Sequence, residues 1–115
     1  MAMLQGELYQ IVKADDTGVE LRLLPESRIF AAHFPGFPIT PGVVLVQIAL
    51  ELLDSVYSVK VPLPQVPMAK FVNPVFPSAD KPLVYRFIPS GKGLWKVEII
   101  YDGVPSARLS LELPA

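Results

Sequence analysis

The sequence predicts an α+β domain in which a long antiparallel β-sheet wraps one central apolar α-helix. Three observations predict it. Residues 43–53 place apolar side chains around almost the whole circumference of a helix, the pattern of a helix enclosed by other structure. Six short runs rich in Val, Leu, Ile and Tyr have strand composition, and turn sequences separate them. Their order is strand, strand, helix, then four strands, with no internal repeat, and one curled sheet satisfies that order.

The elements follow in turn. Leu4–Val12 and Val19–Leu24 flank Asp15-Asp16-Thr17-Gly18, a good turn between two strands, and form the first hairpin. Residues 25–42 are punctuated by proline and have no sustained periodicity, so they form an irregular segment whose length points to function or packing. Thr40 suits an N-cap, and Pro41 suits the first helical position, where its missing N–H has no intrahelical partner to lose. The helix is then expected over Pro41–Ser55. Strands are expected over Val66–Val75, Leu83–Ile88, Leu94–Tyr101 and Val104–Leu113. Pro77-Ser78-Ala79-Asp80, Ser90-Gly91-Lys92-Gly93 and Asp102-Gly103 separate them, the last being a strong two-residue hairpin signal.

Composition bounds the function. With 115 residues the chain is expected to form a single domain, 1–115, able to bury roughly two thirds of its unfolded surface. A hydrophobic fraction of 51% exceeds what a small monomer hides comfortably, so self-association is expected. Ten basic and 11 acidic residues leave a net charge of -1, which gives no electrostatic case for nucleic acid or anionic membrane. The absence of cysteine excludes disulfides, thiol catalysis and cysteine-bound metal, and a single histidine argues against a protein-only zinc site. No cofactor is expected. The segment Met1–Glu7 lacks a basic region followed by an apolar stretch, so it does not read as a signal peptide, and the cytoplasm is the expected location. Val43–Leu53 is about half the length of a membrane-spanning helix and carries Gln47 and Glu51.

Two motifs resemble a known family. The first is Phe30-x-x-His33-Phe34-Pro35-Gly36-x-Pro38-x-x-Pro41-Gly42-Val43, opening the helix, and the second is Lys70-Phe71 followed by Pro74-Val75-x-Pro77. Together they resemble the bacterial hotdog-fold (3R)-hydroxyacyl-acyl carrier protein dehydratases of type II fatty-acid synthesis. The resemblance implies a hotdog fold, paired chains, an acyl carrier protein or coenzyme A thioester as substrate, and elimination of water to give a trans-2-enoyl thioester.

That chemistry needs a base beside the thioester and a stabiliser for the charge that builds on the carbonyl oxygen. His33 suits the first task, because imidazole ordinarily titrates near neutrality. Gly42 suits the second: its N–H lies in the helix's first turn, at the positive end of the macrodipole, and glycine admits close approach. Phe34 and Val43 are expected to line the substrate site beside them. Pro35, Gly36, Pro38 and Pro41 are read as a rigid turn that holds His33 against the helix.

The family's second catalytic residue is a Glu or Asp fourteen positions after the histidine. Here that position is Gln47, which hydrogen-bonds but cannot deliver a proton as an acid does. Glu51 follows one turn later, where family members often carry Gln, so the two residue types look exchanged along one helix face. Two readings of Glu51 stand: it supplies the acid, directly or through Gln47 and a water, or it pairs with an Arg or Lys near the helix end.

Weaker signals remain. Trp95 and Tyr101 read as core or interface, and Asp54 as a solvated charge at the helix end. Arg28, Lys60, Lys70, Arg86, Lys92 and Lys96 read as ordinary surface charges, with a landing surface for an acidic carrier protein as the alternative. The leading expectation is a lyase acting on acyl thioesters in fatty-acid or related lipid biosynthesis. The alternatives are a non-catalytic acyl-binding subunit, paired with an active partner and motivated by Gln47, and a hotdog thioesterase.

Overall fold

A computed structural model describes residues 6–26, 39–59 and 65–113. The chain opens with the expected hairpin, β1 (Tyr9–Ala14) and β2 (Gly18–Leu23). Asp15 shapes its turn: Oδ1 accepts from the N–H of Thr17 at 2.8 Å, the N–H of Gly18 at 3.0 Å and the Thr17 hydroxyl at 3.0 Å. This local pairing is why Asp is favoured where a strand reverses. Strand β1 starts later than the expected Leu4 and runs two residues further, to the edge of that turn.

Helix α1 spans Gly42–Ser55. It corrects the expected cap by one residue. Pro41, with extended backbone at φ -61° and ψ 146°, occupies the N-cap position, and no side chain caps the helix. Thr40 is therefore one residue too early to reach the first-turn amides. Its N–H instead donates to the carbonyl of Val75 at 2.7 Å.

The remaining strands are β3 (Gln65–Phe71), β4 (Leu83–Pro89), β5 (Leu94–Tyr101) and β6 (Val104–Glu112). All pair antiparallel in one sheet of order β1-β2-β4-β5-β6-β3, so α1 carries the chain from β2 across the sheet to the far edge. Asp102 and Gly103, at φ 52° and 78°, make the tight β5–β6 turn that their sequence announces. Strand β3 stops at Phe71, short of the expected Val75. Beyond it, the Val72 and Asn73 N–H groups both donate to the Ser106 carbonyl, at 2.9 and 3.2 Å, which ends the regular ladder before Pro74. The chain then turns inward at Val75, which is buried.

Alternation along β2, β4 and β5 directs one face of the sheet onto the helix. Leu21, Leu23, Leu83, Tyr85, Ile99, Leu109 and Leu111 meet Val44, Leu45, Ile48, Ala49, Leu52 and Leu53 of α1 in one core cluster. The Tyr85 hydroxyl donates to the Leu45 carbonyl at 2.8 Å, and burial raises its pKa well above the ordinary value. Trp95 and Tyr101 pack on this core partly buried, and Asp54 is exposed.

The helix is less enclosed than its apolar circumference suggests. Val43 is 73% exposed, and Val46, Gln47 and Leu50 are only partly covered. Strand β3 is open as well: all seven of its residues are exposed, and it pairs on one side only. One flank of the helix and the free edge of β3 thus lack a cover within the described residues. Among those residues, no helix is long and apolar enough to cross a membrane.

Candidate functional site

The helix N-terminus is built by three segments. Ile39-Thr40-Pro41 enters it, Gly42 opens it, and the stretch from Phe71 to Val75 closes over it, pinned by the bond from Thr40 N–H to the Val75 carbonyl. Between them lies a cleft of about 390 Å³ lined by Ile39, Gly42, Leu45, Phe71, Val72 and Val75 among others. The two motif segments singled out in the sequence, Pro41-Gly42 and Phe71 with Pro74-Val75, are therefore the two walls of one cleft.

Gly42 also lets the Phe71 side chain pack close against the helix backbone. A β-carbon on Gly42 would stand 2.8 Å from Cζ of Phe71, inside any normal contact distance. The Phe71 ring thus rests on the bare backbone of the first helical turn. The Val44 and Leu45 N–H groups both turn to the Pro41 carbonyl, at 3.0 and 3.3 Å. With no capping side chain, the Gly42 and Val43 N–H groups keep no protein acceptor among the described residues. Two amide donors at the positive end of a 14-residue helix beside an apolar cleft suit an oxygen that gains negative charge.

Along the helix, Val43, Gln47 and Glu51 lie four residues apart on one face. Glu51 is buried, although it is a carboxylate. Tyr9 of β1 donates its hydroxyl to Oε1 of Glu51 at 3.1 Å, and Nε2 of Gln47 donates to Oε2 at 3.1 Å. Burial above all, then the neighbouring Glu51 charge and the bond to it, raises the Tyr9 phenol pKa far beyond its ordinary value. The phenol therefore keeps its proton and acts as a donor.

The structure thus brings Pro41 and Gly42 to the cleft and Gln47 and Glu51 into one hydrogen-bonded pair, whereas Val43 is 73% exposed and does not line the cleft. His33, Phe34, Pro35, Gly36 and Pro38 lie outside the described residues, as do Arg28 and Lys60. Lys70, Arg86, Lys92 and Lys96 are exposed. Strand register sets Arg86 opposite Glu98, Glu98 opposite Arg108, and Arg108 opposite Lys70, a row of mixed sign across the sheet.

Two participants escaped the sequence reading. Tyr9 opens β1, and nothing in the neighbouring sequence marks its partner 42 residues away. Thr40 carries the second: its hydroxyl is buried with no hydrogen-bond partner among the described residues.

The model of the ApeI-like family, ApeI dehydratase, matches residues 10–101. The chain belongs to the ApeI-like dehydratase family. Solved structures agree on the fold. The chain is similar to the dehydratase heterocomplex ApeI:P from Xenorhabdus doucetiae, at TM-score 0.72 and 19% identity, covering 92% of this chain and 95% of that one. It is also similar to an uncharacterised protein from Erwinia carotovora subsp. atroseptica, at TM-score 0.67 and 20% identity, covering 93% and 92%. A protein from Silicibacter sp. TM1040, provisionally named a thioesterase, follows at TM-score 0.54 and 17% identity, covering 97% and 82%. No curated protein matches the ApeI-like chain in sequence. Its six-stranded antiparallel sheet packed on helix α1 is the hotdog fold shared with these neighbours.

Proposed function

We propose that this ApeI-like chain, acting as a single hotdog domain over residues 1–115, eliminates water from (3R)-hydroxyacyl thioesters to give trans-2-enoyl thioesters. The observation that carries this reading is the Gly42 N–H, which has no acceptor among the described residues and opens the helix on the wall of a largely apolar cleft. The thioester carbonyl oxygen accepts from Gly42 N–H, which stabilises the charge gained as the C2 proton leaves. His33 takes that proton. The C2–H electron pair becomes the C2=C3 double bond, the C3–O bond breaks, and the departing hydroxyl takes back from His33 the proton removed from C2 and leaves as water. Gln47 holds the 3-hydroxyl, and Phe34 flanks the acyl group. Pro35, Gly36, Pro38 and Pro41 set the turn that presents His33. The thioester is carried by acyl carrier protein or coenzyme A, in fatty-acid or related lipid biosynthesis.

The functional unit is a pair of chains. The edge of β3 and the flank of α1 that have no cover among the described residues are the surfaces that support this. Unpaired strand edges recruit a further strand, and exposed apolar surface favours association.

A second reading is an acyl-binding subunit that pairs with an active hotdog partner. Gln47 favours it, because its Nε2 is bound to Glu51 and a carboxamide is no acid. The ApeI:P neighbour is itself described as a heterocomplex. One experiment tests both. The purified chain is incubated with (3R)-3-hydroxybutyryl and trans-2-butenoyl thioesters of acyl carrier protein and of coenzyme A, and enoyl absorbance is followed in the ultraviolet. Interconversion supports the dehydratase. Flat traces with measurable thioester binding support the binding subunit.

A further inference from the structure

The face of α1 that carries Val43, Gln47 and Glu51 descends from solvent into the core: Val43 is 73% exposed, Gln47 is half-buried and Glu51 is 4% exposed. Glu51 is a buried carboxylate on a largely apolar helix, and such a group stays buried by virtue of the hydrogen bonds it accepts. Glu51 is held by two neutral donors among the described residues, the Tyr9 hydroxyl and Gln47 Nε2, each at 3.1 Å. These contacts fix the direction of a third group. A carboxylate offers lone pairs alone, so the Gln47 amide meets it with nitrogen, and its oxygen turns the other way. Glu51 lies one turn toward the helix C-terminus, so Nε2 of Gln47 faces that way and its Oε1 faces away from Glu51.

We propose that Tyr9 and Glu51 are positioning residues that lock the Gln47 carboxamide with its oxygen toward the ligand, selecting acyl thioesters with a 3-hydroxyl over those with a 3-oxo group. The inference rests on the reading of this site as one for 3-substituted acyl thioesters. A 3-hydroxyl donates its proton to Gln47 Oε1. A 3-oxo group has only lone pairs to offer and faces the amide oxygen with like partial charge. Glu51 on this account acts through Gln47 and does not touch the ligand. Tyr9 keeps Glu51 in place from the opposite side, from a strand that takes no other part in the site.

The test uses the full chain and two independent readouts. The first is hydrogen exchange of the Gln47 side-chain NH2 in ¹⁵N-labelled protein, its signals identified by their loss in Gln47→Ala. One Gln47 proton is expected to exchange about tenfold or more slowly than in an exposed glutamine, the value of one hydrogen bond to a charged group. Glu51→Gln removes most of that protection, because two carboxamides pair in either orientation and the Gln47 NH2 is then the donor only part of the time. Tyr9→Phe/Glu51→Leu, which replaces the buried pair with apolar side chains and covers the case of a poorly folded single variant, removes it too. The second readout is binding of 3-hydroxybutyryl-pantetheine against 3-oxobutyryl-pantetheine, in a His33→Ala background so that neither is consumed. The hydroxyl ligand is expected to bind about tenfold tighter, with the ratio falling toward unity in Glu51→Gln and in Gln47→Ala. A ratio unchanged by Glu51→Gln overturns the proposal. If neither ligand binds, the thioester reading fails and the exchange measurement decides the lock: protection lost with Glu51 sustains it, and protection retained overturns it.

Discussion

The Tyr9 hydroxyl donates to Oε1 of Glu51 at 3.1 Å, joining the edge strand β1 to the last full turn of the helix inside the core. Tyr9→Phe takes one donor from a buried carboxylate, and a group left short of partners costs about 1–3 kcal/mol. Replacing both, as Tyr9→Phe/Glu51→Leu, removes the same Tyr9–Glu51 bond once rather than twice. Urea unfolding of the wild type, both single variants and the double variant is therefore expected to give a cycle in which the double costs less than the sum of the singles.

Gly42→Ala separates stability from function. The new β-carbon meets the outer ring atoms of Phe71, which is 47% exposed and free to swing aside. Alanine also suits a helix better than glycine, by roughly 0.5–1 kcal/mol. Thermal or urea unfolding is expected to move by no more than about 1 kcal/mol. Thioester binding is expected to fall sharply, because the displaced ring enters the cleft, and Gly42→Ala/Phe71→Ala is expected to recover part of it.

Strand β3 gives a prediction about assembly. Its free edge carries exposed Val66 and Met68, and lysines at such an edge block strand addition. Sedimentation is expected to give at least twice the chain mass for the wild type and the single-chain mass for Val66→Lys/Met68→Lys. Since both side chains are exposed, the stability of the folded monomer is expected to change by only about 0.5 kcal/mol.

Asp15 sets part of the acid limb of stability. The Thr17 N–H foremost, then the Thr17 hydroxyl and the Gly18 N–H, hold its carboxyl below the ordinary value of 3.8. A carboxyl whose pKa is lower folded than unfolded contributes stability fully above the unfolded value and loses it as pH falls through the folded one. Asp15→Ala is expected to lower the unfolding midpoint near neutral pH and to match the wild type more closely once pH drops below that lowered value. A pH series of thermal unfolding curves checks the convergence.

How much of this was legible in the residues depends on distance along the chain. Turn chemistry is local, so Asp15–Gly18 and Asp102-Gly103 marked both hairpins, and β5 fell on its expected residues. The helix start slipped by one residue because Thr40 takes a long-range backbone partner, Val75, that no local pattern encodes. Strand β3 ended early for a similar reason, at the two amides that share the Ser106 carbonyl. The apolar circumference of α1 pointed to burial without telling whether the covering surface comes from the same chain, and the exposure of Val43 leaves one flank open. At the site, the spacing of Gln47 and Glu51 made their contact foreseeable. The bond to Tyr9 was not, because it depends on where β1 lands against the helix.

The central claim is that this cleft reversibly removes the 3-hydroxyl of an acyl thioester with His33 as the base. Its most direct measurement is oxygen exchange: a (3R)-3-hydroxybutyryl thioester is incubated with the protein in ¹⁸O-labelled water, and the recovered hydroxyacyl group is weighed by mass spectrometry. The wild type is expected to place labelled oxygen at C3, and His33→Ala to lower the rate by about 10²–10⁴-fold. Unlabelled product from a wild-type protein that binds the thioester, or undiminished labelling by His33→Ala, would contradict the account.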